Sequence, residues 1–248
     1  MPTIDAARRH DLTEAQWAVL EPLLPSGPHL GRPRIYPLRG LIDGVRHRVR
    51  TGEPWRDVPA CYGPWWRVYA LFASWQLLDF WQRLEQALIA QANQAGLVRW
   101  EAFSVDSTSI RAHVHAAGAR RDSVNRVPGE PDHHALGRSR GGWGTKVHLA
   151  CDQDRGVLSI LLTPGQAGDP NHLIPVLENV KVAQPGGTGR PRQRPDRVLV
   201  DAAYSSAANR DWLRKKHINA TIPIKADQAR NRAARGAKGG RPPESARV

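Results

Sequence analysis

The sequence predicts an α/β domain preceded by an all-α region. Three observations carry this. Apolar residues recur at helical spacing through the first 98 residues, and the pattern changes to short strand-like runs after Gly96. From about residue 100 those runs and further helical stretches follow the order β, β, β, α, β, α, β. Three antiparallel strands feeding a parallel α/β half satisfy that order.

The helical part opens with LTEAQWAVLEPLL, where Thr13 is the N-cap and Trp17, Leu20 and Leu24 follow at helical spacing. PLRGLIDGVRHRVRTG reads as a second helix, with Leu38, Leu41, Ile42, Val45 and Val49 on one face and Gly52 just past its end. EPWRDVPACYGPWWRVYALFASW reads as a short helix, a turn at Gly63-Pro64 and a longer helix. Its apolar stripe continues through Val68, Leu71, Phe72, Trp75, Leu78, Trp81, Leu84 and Leu88. Six of the nine tryptophans (17, 55, 65, 66, 75, 81) fall in this part and read as core.

WEAFSVD is a strand ending on Asp106. Residues 111–142 are polar, rich in Gly and Arg and without period, so they read as a long loop. WGTKVHLACD and GVLSILLTP, on either side of Gln153-Asp154-Arg155, form a β-hairpin signal. NHLIPVLENV is a helix, QPGGTGRPRQRPD a linker, RVLVD a strand ending on Asp201, SSAANRDWLRKKH a helix capped by Ser205 or Ser206, and INATIPI a last strand. From Lys225 the chain is basic and poor in apolar residues, which predicts a flexible tail. The element order matches the ribonuclease-H-like fold. The expected division is a helical domain over 1–98, a ribonuclease-H-like domain over 99–224, and the tail over 225–248.

Lys and Arg total 36 against 23 Asp and Glu, a formal net charge of +13 over 248 residues with a pI near 10.7. That balance favours a polyanionic partner. A membrane surface is the poorer candidate, because no basic amphipathic anchor and no long apolar span is present. Nucleic acid is therefore the expected partner. The first residues show no apolar core flanked by a cleavage site, and Cys61 and Cys151 form no CxxC pair. Both features point to a reducing cytoplasm, at the nucleoid if DNA is the partner.

Asp106 and Asp201 are the candidate catalytic residues. In this element order the first strand lies beside the fourth, so two carboxylates at their ends come side by side. Such a pair repels unless a cation joins it. Mg²⁺ or Mn²⁺ suits two hard oxygen donors, and a pair of such ions supports phosphodiester cleavage or strand transfer. The bland reading of either residue is a turn or cap aspartate. The histidine pairs 113/115, 133/134 and 148/172 lack HExxH spacing and read as solvated or DNA-facing. Arg138, Arg140 and Lys146, set among glycines, could cradle phosphate or simply lead into the strand. GRPR, at Gly31 and again at Gly189, has the composition of a minor-groove arm and makes Arg32 a candidate contact. The turn at Gly63-Pro64 suits a helix-turn-helix with Arg67 as its best DNA contact, and a purely structural bundle fits equally well. Lys225, Arg230 and Arg232 add basic candidates in the tail.

SVDSTSIRAHVHAAGARR, LGRSRGGWGTKVHLACD, LLTPGQAGD, RPDRVLVDAAYSSAANRDWLR and IPIKADQARNR resemble the DDE transposases of bacterial insertion sequences, in particular the insertion-sequence-five family. LTEAQWAVLEPLLP, GRPR and RTGEPWRDVPACYGPWWRVYALFASW are similar to that family's helical N-terminal region. The resemblance spans residues 12 to about 243. It implies a DNA transposase with a ribonuclease-H-like catalytic domain and Mg²⁺, with Asp106 as the first acid and Asp201 as the second. The family's third acid is a Glu on a helix after the last strand, in a pattern like Y-x-x-R-x-x-x-E-x-x-x-x-x-x-K. Asp211, Asp227 and Glu244 all miss that spacing, so an incomplete copy is expected. Ala202 stands where relatives typically carry Lys, and Ala70 and Ala73 stand where they often carry Arg. The resemblance leaves a homo-oligomer open. The alternatives are a non-catalytic DNA-binding regulator of transposition on the same fold, and a ribonuclease or resolvase. Metal-dependent DNA cleavage separates the regulator from the enzyme.

Overall fold

The structure is a computed structural model and describes residues 9–25, 35–118, 127–128 and 130–239. It divides into two units, with the break at Leu88/Ile89. The sequence placed that division ten residues later. The reason lies within one helix: Leu84 and Leu88 join the N-terminal apolar cluster, whereas Ile89 and Ala92 pack on the core of the second unit.

The N-terminal unit is helical. Helix α1 (Glu14–Leu20) starts with a capping box, in which the Thr13 side chain accepts from the Gln16 amide and the Gln16 side chain accepts from the Thr13 amide. Helix α2 (Leu38–Thr51) ends at Gly52, whose left-handed conformation (φ 74°) suits a residue without Cβ. Two short 3₁₀ turns, Trp55–Asp57 and Ala60–Tyr62, lead to α3 (Trp65–Leu77) and α4 (Phe80–Gln94). The stripe read as one long helix is thus two helices, broken where Asp79 turns left-handed (φ 54°). The break folds Trp81 back, so that its indole N–H donates to the Phe72 carbonyl and its ring lies 5.0 Å from that of Trp75.

Not all the tryptophans are core. Trp75 is buried, but Trp65 and Trp66 are exposed, with Arg56 and Arg67 over their rings. At the centre of the unit, Gly44 of α2 meets Tyr62 and Val68.

The second unit is one mixed sheet. Strand β1 (Phe103–Arg111) pairs antiparallel with β3 (Gly142–Asp152) and parallel with β5 (Arg197–Val200), which pairs parallel with β6 (Asn219–Thr221). Strands β2 (Gly137–Ser139) and β4 (Val157–Pro164) both pair with β3 on its edge away from β1. The main order is therefore β4-β3-β1-β5-β6, the order expected of a ribonuclease-H-like sheet. Helices α5 (Leu173–Glu178) and α6 (Ala207–Lys215) supply Leu173, Val176, Leu177 and Leu213 to a core closed by Phe103, Val105, Ala150, Val198, Val200 and Tyr204. Asp152 fixes the β3–β4 turn by accepting from the amides of Gly156 and Arg99.

Three local expectations change. Strand β1 runs five residues past Asp106, because β3 offers backbone partners as far as Gly144. Within the span read as a loop, the described residues hold β2 and two 3₁₀ turns, Val114–Gly118 and Asp132–Ala135. The segment after Lys225 contains helix α7 (Ala226–Ala234), where a flexible tail was expected. It is built from strong helix formers, with Asp227 in its first turn, and has no apolar face for a periodicity reading to detect. Gln228 anchors it, donating to the Ser205 carbonyl and accepting from the Ser205 hydroxyl.

Two glycines of α2 should respond in opposite ways to alanine. A Cβ on Gly44 would lie 2.9 Å from the Tyr62 Cβ and 3.1 Å from both Val68 methyls, while one on Gly40 has its nearest neighbour at 3.8 Å. Gly44→Ala should cost about 1–2 kcal/mol, overpacking outweighing the helix-propensity gain. Gly40→Ala should stabilise by roughly 0.5–1 kcal/mol. Urea unfolding of the two variants checks both signs.

Candidate active site

Parallel pairing of β1 and β5 sets Phe103 beside Val198, Ser104 beside Leu199 and Val105 beside Val200. The next residues in that register are Asp106 and Asp201. Side chains alternate along a strand, and register partners share a face. Val105 and Val200 point into the core, so Asp106 and Asp201 both point to the opposite, exposed face. Each carboxylate is oriented by its own backbone: Asp106 Oδ1 accepts from the Ser107 amide at 2.7 Å, and Asp201 Oδ1 from the Ala203 amide at 2.8 Å. Asp201 is also the cap of the 3₁₀ turn Ala202–Tyr204, as the turn reading of this residue expected.

The second oxygen of each carboxylate has no hydrogen-bond partner among the described residues, and neither residue forms an ion pair there. Two exposed, uncompensated hard-oxygen donors on one face fit a hydrated divalent cation such as Mg²⁺ or Mn²⁺. Among the described residues no group of three or more His, Cys, Asp or Glu forms a metal-binding cluster. Glu244 lies outside the described residues. Asp211 is held by Arg214 and Lys215, both on its own helix, and Asp227 sits in the first turn of α7.

Behind this pair, on the core face, lies a polar network that the sequence reading missed. Ser107, the residue after Asp106, donates to Asp169 Oδ1 at 2.8 Å, and Lys146 Nζ donates to the same oxygen at 2.9 Å. Burial alone would raise the Asp169 pKa, but Lys146 and Ser107 hold it below the ordinary carboxylate value. Tyr204 is buried beside them. Its hydroxyl is pushed up to about 12, first by burial and then by the negative charge of Asp169, Asp106 and Asp201. His148 is fully buried, bonds Thr163 Oγ1 through Nε2 at 2.9 Å, and stacks 4.7 Å from His172. Asn209 ties the elements together, donating to the carbonyls of Pro170 and Tyr204. No apolar run closes on Asp169, which follows the turn segment Pro164–Gly168, so the strand-end pattern that marked Asp106 and Asp201 passes it by.

The basic candidates separate. Arg138, Arg140, Arg67 and Arg230 are exposed. Lys146 is turned inward to Asp169 and to the Ala167 carbonyl, so the role of a phosphate contact gives way to an internal ion pair. Lys225 caps α7, Arg232 lies in its last turn, and Arg32 falls outside the described residues. The rings of His113 and His115 lie 4.5 Å apart on exposed residues, and His133 and His134 are exposed and left-handed.

The strand order and its two helices define a ribonuclease-H-like domain. Residues 101–247 match the transposase DDE domain family, more than half of the chain, and the chain belongs to that family. Residues 12–85 match the family DUF4096, described as a transposase of the IS4/5 family. The uncharacterized protein y4sN of Sinorhizobium fredii is 32% identical over 117 residues, which is 47% of this chain and 89% of that protein. The uncharacterized 16.2 kDa protein of insertion element IS402 from Burkholderia cepacia is 35% identical over 106 residues, 39% of this chain and 69% of that protein. Among solved structures, a pre-cleavage Mos1 transpososome is similar at 14% identity and a TM-score of 0.30, over 83% of this chain and 64% of that one. A piggyBac transposase synaptic complex with hairpin DNA is similar at 10% identity and a TM-score of 0.34, over 84% of this chain and 47% of that one. This chain thus spans less than two thirds of either structure's length. No described helix is long and apolar enough to cross a membrane.

The buried network makes stability depend on pH. Burial first, then the neighbouring His172, lowers the His148 pKa from 6.5 to about 4, and His172 is lowered by burial as well. The unfolded chain therefore takes up protons before the folded one. Stability is fully present above pH 6.5 and is lost as the pH falls through about 4, by up to about 3 kcal/mol for His148. His148→Gln, which can still bond Thr163 but does not titrate, should flatten the urea midpoint between pH 6.5 and 4.

Proposed function

We propose that this chain is the transposase of an insertion element. In this reading it acts in the cytoplasm, binds double-stranded DNA at the element's ends, and carries out phosphodiester cleavage and strand transfer. The observation that supports the reading is the parallel register ending at Val105–Val200, with an exposed aspartate, Asp106 or Asp201, next in each chain segment. Asp106 and Asp201 would hold Mg²⁺ or Mn²⁺. Such ions, when bound, stabilise the attacking and leaving oxygens of an in-line displacement. The chain's own contribution is orientation: the amides of Ser107 and Ala203 fix how each carboxylate presents its second oxygen. The Lys146–Asp169 pair and Tyr204 brace the two segments from behind. The exposed Arg67, Arg138, Arg140 and Arg230, together with Lys225, Arg232 and Arg32, would meet the DNA backbone.

The acid set is incomplete in this proposal. A third carboxylate of the Y-R-E-K kind is needed to fix both ions, and no residue of this sequence stands at its spacing. A second reading, a non-catalytic DNA-binding regulator of transposition, is favoured by one observation: no third acid joins Asp106 and Asp201 among the described residues.

Donor-end cleavage and strand transfer with Mg²⁺ or Mn²⁺ separate the two readings. The 248-residue chain should be inactive, and a version extended with a Glu-bearing helix of the family pattern should cleave. Asp106→Asn or Asp201→Asn in the extended version should lower the rate at least about 10²-fold, the scale of losing an electrostatic stabiliser. Specific cleavage by the unextended chain would overturn the missing-acid argument, and an inactive extended chain would favour the regulator. Duplex DNA binding should weaken with salt, log K falling by about 0.9 per phosphate neutralised for each unit of log salt. A flat salt response would remove the phosphate-binding role.

A further inference from the structure

The second GRPR motif, Gly189–Arg192, leads into a cleft that the Asp106–Asp201 site does not use. Backbone bonds between Val182 and Arg192, at 2.9 and 2.8 Å, close the Gly-rich loop, and the Arg192 guanidinium lies 4.2 Å over the Trp100 ring. The motif is therefore pinned rather than a free arm. The closed loop presents Arg190, Gln193 and Arg194 to a pocket of about 240 Å³, completed by Leu177, Glu178, Trp212, Lys216 and Ile218. It opens at the C-terminal end of α6, beyond Lys215, whereas Asp201 lies beyond the other end of β5.

We propose that this pocket binds a single unstacked nucleotide, its base on Trp212 and its phosphate on Arg190, Arg194 and Lys216. Leu177 and Ile218 are buried and make an apolar floor, and Trp212 is half-buried, packed on the core and lining the pocket. Lys216 Nζ stands 5.7 Å from the centroid of that ring, so an aromatic surface and an ammonium lie within one nucleotide's reach of each other. Arg190, Arg194 and Lys216 have no carboxylate partner among the described residues, unlike Arg214 and Lys215 on the same helix, which are paired with Asp211. The negative end of the α6 dipole is partly offset, since Arg194 Nη1 donates to the Lys216 carbonyl at 2.9 Å. Three cations then face one carboxylate, Glu178.

The volume is below the roughly 300–1,000 Å³ of drug-sized sites, which leaves room for one ring system. A flat aromatic wall with cations at the rim is the arrangement that stacks a base and holds its backbone. An acidic peptide would leave its backbone amides unpaired against Leu177 and Ile218. Paired bases in duplex DNA offer no free face, so the ligand is an unpaired nucleotide, either within a DNA strand or free.

Fluorescence anisotropy of the full chain in EDTA tests this without any catalytic step. The probes are a labelled four-residue thymidine strand, the same strand with every base removed, and unlabelled thymidine monophosphate as competitor. The thymidine strand should bind at least about 10-fold more tightly than the abasic one. Arg190→Glu combined with Lys216→Glu should lower that affinity at least about 10-fold. It should also make the slope of log K against log salt shallower by about 1.4, two contacts at roughly 0.7 each on a single strand. Trp212→Phe keeps a ring and should stay within about 3-fold, and Glu178→Gln should tighten binding.

Arg214→Glu, on the same helix but outside the pocket, should have a small effect. An equal loss from Arg214→Glu, or equal binding of the abasic strand, overturns the proposal in favour of general surface charge. Competition by thymidine monophosphate at the strand's own affinity would identify a free nucleotide as the ligand. Asp106→Asn should leave all these values unchanged, so failure here and failure of the transposase reading are told apart.

Discussion

Three residue pairs of parallel strand, Phe103–Val198 to Val105–Val200, are the constraint on which the rest of the second unit depends. They join segments far apart in sequence and set the face on which everything after them lies. Valine at 105, 198 and 200 drives this face into the core, where each side chain is at least nine-tenths buried. A slip of one residue would turn the buried valines outward and the following aspartates inward. Burying an unpaired carboxylate is costly, so the hydrophobic register and the electrostatics of Asp106 and Asp201 select the same pairing.

The same strands carry a different chemistry on their other side. Ser107 and Tyr204 follow Asp106 and Asp201 at short intervals and point back toward Asp169, Lys146, His148 and His172. That cluster is half-buried around a fully buried His148: one carboxylate, one ammonium, and two histidines whose pKa values are lowered. Lys146 and Ser107 hold the Asp169 pKa below its ordinary value against the raising effect of burial. A partly buried pair of this kind contributes little net stability, but losing either partner leaves the other charge without its counter-ion.

Surplus positive charge proved to be three populations. Some cations serve the fold: Lys146 inside its ion pair, Arg192 over Trp100, and Arg210 donating to the Ile222 carbonyl. Others are balanced by carboxylates on the surface, as Arg214 and Lys215 are by Asp211. Only the remainder, among them Arg138, Arg140, Arg190 and Arg230, is exposed and uncommitted enough to meet a polyanion. Net charge indicates the class of partner, and only the paired geometry tells which side chains are available to it.

By itself, the sequence determined the order of the main strands and helices, because each carries its own period and its own punctuation: Thr13 and Ser206 as caps, Gly52 as a stop, and Gln153-Asp154-Arg155 at the hairpin turn. It also singled out the two aspartates as candidates, because an apolar run that closes on an acid is a local pattern. It mistook the break at Asp79, since a left-handed residue leaves the apolar stripe on either side intact. It missed α7, since a helix held by alanine propensity and by Gln228 on Ser205 shows no amphipathic period. Tertiary structure alone decided that β1 continues past Asp106, that Lys146 turns inward, and that Asp169 stands behind the carboxylate pair. Each of these depends on what a partner strand or a distant side chain offers across the sheet, and no spacing within one segment encodes that.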